Sequence, residues 1–258
     1  LAGNTGDPPP ATGSIALDNI EVRNSELSVR FVGSGFDPAD KRLVAGGLVG
    51  DNFNGIITNS RVGTHLEIED SNFGDNNSEI FAGVLTGRNE GVIKSSKVFG
   101  SLTHTITLDD AGFTPKEESY YGAAVGINKS SGTLPSSGTI QELGVSGFMK
   151  TYTNVLSVWT SGPIGGKFAG LVAYNEGTIK DSFSEAIIFD DNSPTPAPWD
   201  NVDLAGLVSV NASSGTVERS FYSAGNGSHG FPGTLVNPAS GTVLTNNAGT
   251  SAISDLYC

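Results

Sequence analysis

The side chains of this chain with a spacing suited to chemistry are carboxylates and amides. The stretch "EDSNFGDNNSE" from Glu69 to Glu79 places Asp70, Asn72, Asp75, Asn77 and Glu79 in one loop around Gly74. Hard oxygen donors on a pliable turn suit calcium. The spacing departs from an EF-hand, because Gly74 stands fifth and Glu79 tenth, so an ordinary polar turn is the alternative. A second class of site needs two carboxyl groups about 5–9 Å apart on one face, as in glycoside hydrolysis. Acids cluster at Asp109-Asp110, Glu117-Glu118, and Asp190-Asp191 with Asp200 and Asp203. Neighbours on a strand point to opposite faces. No adjacent pair makes a dyad by itself, and solvated loop acids are the plainer reading.

Other chemistries find fewer residues. The three histidines, His65, His104 and His229, form no zinc motif and read as surface residues. Cys258 is the single cysteine and the last residue, so an intrachain bridge or a Cys-x-x-Cys site is excluded. Gly166-Lys167 precedes Phe168 rather than Ser or Thr, so it is no phosphate loop. Asn-x-Ser sequons at Asn76, Asn128, Asn211 and Asn226 follow from an Asn- and Ser-rich composition. Aromatic side chains are a further resource. Trp159, Trp199, Tyr120 and Tyr121 lie in or beside unrepeated intervals, suited to stack on sugar rings or to anchor a protein contact. They suit the flanks of a core equally well.

The elements that must position these residues come from a repeat. Five copies align on one Asn: "AGGLVGDNFNGIITNSRV" from Ala45, "AGVLTGRNEGVIKSSKV" from Ala82, "GAAVGINKSSGTLPSSGTIQELGV" from Gly122, "FAGLVAYNEGTIKDSF" from Phe168 and "LAGLVSVNASSGTVERSF" from Leu204. The anchors Asn52, Asn89, Asn128, Asn175 and Asn211 are 37, 39, 47 and 36 residues apart. A degraded sixth copy is read in "LVNPASGTVLTNN" from Leu235 to Asn247. Each copy reads as strand, turn, strand. Leu48-Val49, Leu85, Val125, Leu171-Val172 and Leu207-Val208 supply the first strand, and Ile57, Ile93, Ile140, Ile179 and Val217 an inward position on the second. Asn and Gly between them suit positive φ.

Units this short cannot bury their own apolar faces, so like units must stack. The expected fold is all-β, a parallel β-solenoid with its turn Asn residues stacked as a hydrogen-bonded ladder. A β-propeller is the rival, with a suitable period but only one strand per Gly-Leu-Val-Gly signature where a blade needs four. One domain is expected over 1–258. Its tail and cap would be 1–43, with strand-like alternation at Ile15–Phe31; the repeats would span 44–222, and a degraded repeat or second cap 223–258.

Composition bounds the partners. Thirty-five glycines and 16% charged residues suit a turn-rich β protein. A formal charge of −13 opposes binding to nucleic acid or to an anionic membrane surface. No apolar run approaches the roughly 18 residues that span a bilayer, so no membrane insertion is expected. Opening at Leu1 rather than Met suits a chain whose leader has been removed, or a fragment of something longer.

The motif Gly-Leu-Val-Gly-x-Asn-x-Gly-x-Ile-x-(Asn/Ser)-Ser resembles the GLUG repeat of bacterial secreted and surface proteins, adhesins and IgA-cleaving peptidases among them. The resemblance is best at Gly46 to Ser60, good at Gly83 to Ser96 and Gly170 to Ser182, and looser elsewhere; Ala173, Ser209 and Thr86 depart from it. It implies an extracellular or surface-displayed solenoid and no catalytic residue. The expected function is therefore non-catalytic: adhesin-like display of loops to a host or surface glycan or protein, with end-to-end self-association. No cofactor is required beyond the calcium considered above. A carbohydrate-active β-helix enzyme is the alternative. An ice-binding solenoid is a lesser one, resting on Thr139, Thr178, Thr216 and Thr242, a series that Ile56 and Val92 break.

Overall fold

Alternation of β-branched and small residues drives the chain into strands that coil rather than zigzag. The computed structural model describes residues 15–31, 42–70, 79–108, 119–130, 137–155, 166–190, 202–223, 234–235, 244–247 and 253–254. These form a parallel β-solenoid with three sheets and, among the described residues, no helix. No propeller blade is present among them.

Each coil visits the three sheets in turn. A five-stranded sheet takes Arg42–Gly46, Glu79–Gly83, Ser119–Gly122, Gly166–Ala169 and Val202–Ala205. The chain then bends into an eleven-stranded sheet through Val49–Thr58, Thr86–Lys94, Val125–Asn128, Val172–Asn175 and Val208–Asn211. In the later coils the second half of this pass is a separate strand, Thr139–Gln141, Thr178–Lys180 or Thr216–Glu218. A corner leads to the ten-stranded sheet, which includes Arg61–Asp70, Ser101–Leu108, Phe148–Val155 and Ile187–Asp190. Val62, Val98 and Val145 lie beyond that corner on this third sheet.

The stack extends past the five copies at both ends. Ala16–Asp18 pairs with Ile56–Thr58 and Glu21–Phe31 with Arg61–Asp70, so the expected N-terminal cap is itself a partial coil. At the other end Leu244–Asn247 lies on Val208–Asn211, and Ile253 opposes Val217. Asn247, opposite Asn211, is thus the sixth anchor. Thr139 pairs with Thr178 and Thr178 with Thr216, while Thr242 lies outside the described residues.

In-register stacking makes columns of like side chains. Ile57, Ile93, Ile140, Ile179 and Val217 oppose one another down the interior, each buried. Burying one such side chain contributes roughly 2 kcal/mol. Beside them runs the expected amide ladder. Asn52 Nδ2 donates to Asn89 Oδ1 at 2.7 Å, Asn89 to Asn128 at 2.7 Å, Asn128 to Asn175 at 2.8 Å and Asn175 to Asn211 at 2.7 Å.

Positive φ belongs elsewhere than the sequence suggests. None of the five ladder asparagines has it, and Gly138 is the only turn glycine recorded with it, at 65°. The left-handed residue is the corner: Asn19, Asn59, Ser95, Glu142, Asp181 and Arg219, with φ between 42° and 55°. Gly177 is required for space instead, since a Cβ there would lie 2.1 Å from the Gly138 carbonyl oxygen of the adjacent coil.

After the corner residue comes a buried serine. Ser60, Ser96, Ser182 and Ser220 each donate to the carbonyl two residues back, at 2.8–2.9 Å. Each also accepts an amide across coils, from Ile20, Ser60, Leu143 and Ser182 in turn. Leu143 interrupts this file. On the outside of the ten-stranded sheet Phe99 covers Gly63 and Phe183 covers Gly144, where a Cβ would collide with the ring.

Candidate functional site

The outward side chains of the five-stranded sheet and of the first half of the eleven-stranded sheet meet each other. Val44, Phe81 and Ile127 form a small buried cluster separate from the main core, with Tyr120 and Tyr174 packed against it. Outward residues of two adjacent sheets bury one another only where the sheets bend toward each other, so this flank is concave. Phe81 and Tyr120 have ring centroids 5.9 Å apart, and Tyr120 meets Tyr174 edge-on at 5.1 Å. The Arg42 guanidinium lies 5.3 Å from the Phe81 centroid.

Charged groups continue the strip along the axis. Asp51 and Arg88 oppose each other on adjacent coils. Arg88 pairs with Asp51 Oδ2 at 3.6 Å and makes a close ion pair with Glu90, itself buried. Asp51 Oδ1 and Arg88 Nε are buried without a hydrogen-bond partner. Burial pushes the Asp51 carboxyl above its ordinary range, while Arg88 and Arg42 pull it down. Further along, the Tyr174 hydroxyl donates to Glu176 Oε1 at 2.8 Å. The strip joins the partly exposed rings of Tyr120 and Tyr174 to fixed carboxylates and a guanidinium, the pairing that takes a sugar ring by stacking and by bonds to its hydroxyls.

Several sequence expectations are placed differently. Tyr120 lies on the strip. Tyr121, one residue on, faces the interior at 1% exposure, stacked 4.7 Å from Phe168, so its ring is closed to any ligand. His104 is no surface residue: it is 1% exposed and 4.2 Å from Tyr121. His65 is half-buried on the outer face, its Nδ1 2.5 Å from Ser101 Oγ. Trp159, Trp199 and His229 lie outside the described residues, as do Asp109-Asp110, Glu117-Glu118, Asp191 and Asp200.

For the calcium loop, Asn72, Asp75 and Asn77 also lie outside the described residues. Asp70 ends the strand Arg61–Asp70. Glu79 opens Glu79–Gly83, and its carboxylate takes Arg42 at 2.5 Å. A carboxylate so neutralised is a poor cation ligand. Among the described residues no three His, Cys, Asp or Glu side chains are grouped to hold a metal.

Sequence reasoning missed Arg42, Asp51, Phe81, Arg88, Glu90 and Tyr174. The signal lay in the repeat: the residue before each ladder Asn is Asp51, Arg88, Ile127, Tyr174 and Val210, a slot that varies beside a constant Asn. Comparison with known proteins finds no matching family model, no matching curated protein and no matching solved structure.

Proposed function

We propose that this chain is a non-catalytic binding scaffold of a bacterial surface, a solenoid that holds a glycan along its concave flank and through its inserted loops. The observation that carries this reading is the division of labour within the repeat. The constant Asn is spent on the buried ladder, while the residue before it varies and, as Tyr174, joins Tyr120 on the partly exposed face over the buried Phe81 cluster. The GLUG-like motif supports an extracellular setting, and the charge of −13 argues against nucleic acid and anionic membranes as partners. No cofactor is needed.

A glycan array followed by calorimetry tests the reading. Binding is expected, and Tyr174→Ala is expected to weaken it about tenfold by removing an aromatic anchor, measured at a temperature where circular dichroism shows the variant folded. Absence of binding to any glycan, or binding indifferent to Tyr120→Ala and Tyr174→Ala, overturns it. One feature favours a second reading, a carbohydrate-active enzyme: the raised carboxyl of Asp51, which shares Arg88 with the buried Glu90, would suit a proton donor. Release of reducing sugar that is lost in Asp51→Asn would establish turnover and displace the binding scaffold.

A further inference from the structure

The two ends of the solenoid differ. At the C-terminal end Thr234–Leu235 pairs antiparallel with Ile187–Asp190, where the other recorded ladders are parallel. A further coil would meet that strand through an antiparallel ladder, unlike the parallel stacking of the other coils. At the N-terminal end the same sheet finishes on Glu21–Phe31. Among the described residues, this eleven-residue strand pairs only with Arg61–Asp70. Its Val22, Leu27 and Val29 are only partly buried against the core.

Proteins usually blunt an edge of that length. A register shift between Arg23 and Ser25, with Asn24 at φ 48°, does so for the first part. Residues 25–31 carry no bulge, and their sequence, Ser-Glu-Leu-Ser-Val-Arg-Phe, is self-complementary when run antiparallel about Ser28. Glu26 then faces Arg30 of a second copy, and Arg30 faces Glu26. Leu27 and Val29 face each other on the inward side.

We propose that residues 25–31 pair antiparallel with the same residues of a second copy, joining two solenoids N-terminal end to N-terminal end. Two cross-strand ion pairs and a shared Leu27–Val29 layer hold the junction, since opposite charges directly across a ladder attract and like charges repel. Arg30 Nε already bonds Glu69 at 2.7 Å, and the guanidinium has further donors for a second carboxylate. The contact is the same patch on both copies, so it closes at a dimer rather than a fibre.

The full chain carrying Cys258→Ser is the test material. Sedimentation equilibrium is expected to show a dimer. Ser28 sits on the twofold axis, where facing Cα atoms lie about 4.5–5.5 Å apart, within disulfide reach. Ser28→Cys is therefore expected to cross-link under mild oxidation, and Glu26→Cys, which faces residue 30, to cross-link at least about tenfold more slowly. Glu26→Arg and Arg30→Glu are each expected to weaken the dimer about tenfold, whereas a mixture of the two, in which a basic edge meets an acidic one, is expected to pair. Circular dichroism confirms that each variant folds. A monomer at all concentrations means that something else covers this edge and overturns the proposal, as does equal cross-linking at positions 26 and 28. Glycan binding measured on the Glu26→Arg protein reports on the concave flank separately.

Discussion

Asp51 carries a partly buried charge that the repeat does not require, since Ile127 and Val210 fill the same slot on other coils. Burial raises its carboxyl above the ordinary carboxylate range, and Arg88 and then Arg42 offset part of that rise. A carboxyl with a raised folded pKa binds its proton more tightly in the native state than in the unfolded chain. Its contribution to stability is therefore full below the ordinary carboxyl range and is lost as pH climbs through the raised value. Asp51→Asn removes the titration while Arg88 keeps Glu90. Melting temperature is expected to rise by about 2 °C at about pH 7 and to match the parent near about pH 3. A loss of stability at neutral pH would show that the Arg88 pairing outweighs desolvation. None of this was legible in "GDNFNG", because residue spelling does not record which way two sheets bend.

At the scale of elements, the ladder and the apolar columns were legible and the corners were not. Asn, Ile and the Leu-Val pairs recur at one spacing, and periodicity of that kind maps directly onto register. The corner residues share a φ but not a letter: Asn59, Ser95, Glu142, Asp181 and Arg219. Backbone geometry is imposed there by the serine bonds and the sheets on either side, so no residue type announces it. The concave strip was illegible for a related reason, since Arg42, Phe81, Tyr120 and Tyr174 come from four coils and meet in turn only after stacking. The ladder itself makes a graded prediction. Asn128 accepts from Asn89 and donates to Asn175, whereas Asn52 has a ladder neighbour on one side. Leaving a buried polar group unpaired costs roughly 1–3 kcal/mol. Asn128→Ala is therefore expected to cost about 3 kcal/mol by urea unfolding, and Asn52→Ala about half of that. Equal losses would mean that the number of ladder neighbours does not set the cost.

For the whole molecule, stability is a sum of coils and the contacts between neighbours. Amides of the central strands Val125–Asn128 and Val172–Asn175 are expected to exchange with deuterium at least about a hundredfold more slowly than those of Ala16–Asp18, which has one neighbour. Uniform protection would indicate a single all-or-none unit. Such an architecture has an inherent ambiguity: if every coil were alike, any coil would fit against any other, and a folding chain could close one level out of place. The departures from the repeat resolve it. Leu143 breaks the serine file at one level only, Phe99 has its glycine at Gly63, Phe183 at Gly144, and Arg219 its carboxylate at Asp181, 2.6 Å away. Each irregular pair fits a single neighbour. The flaws in the repetition serve as addresses, telling each coil where in the stack it belongs.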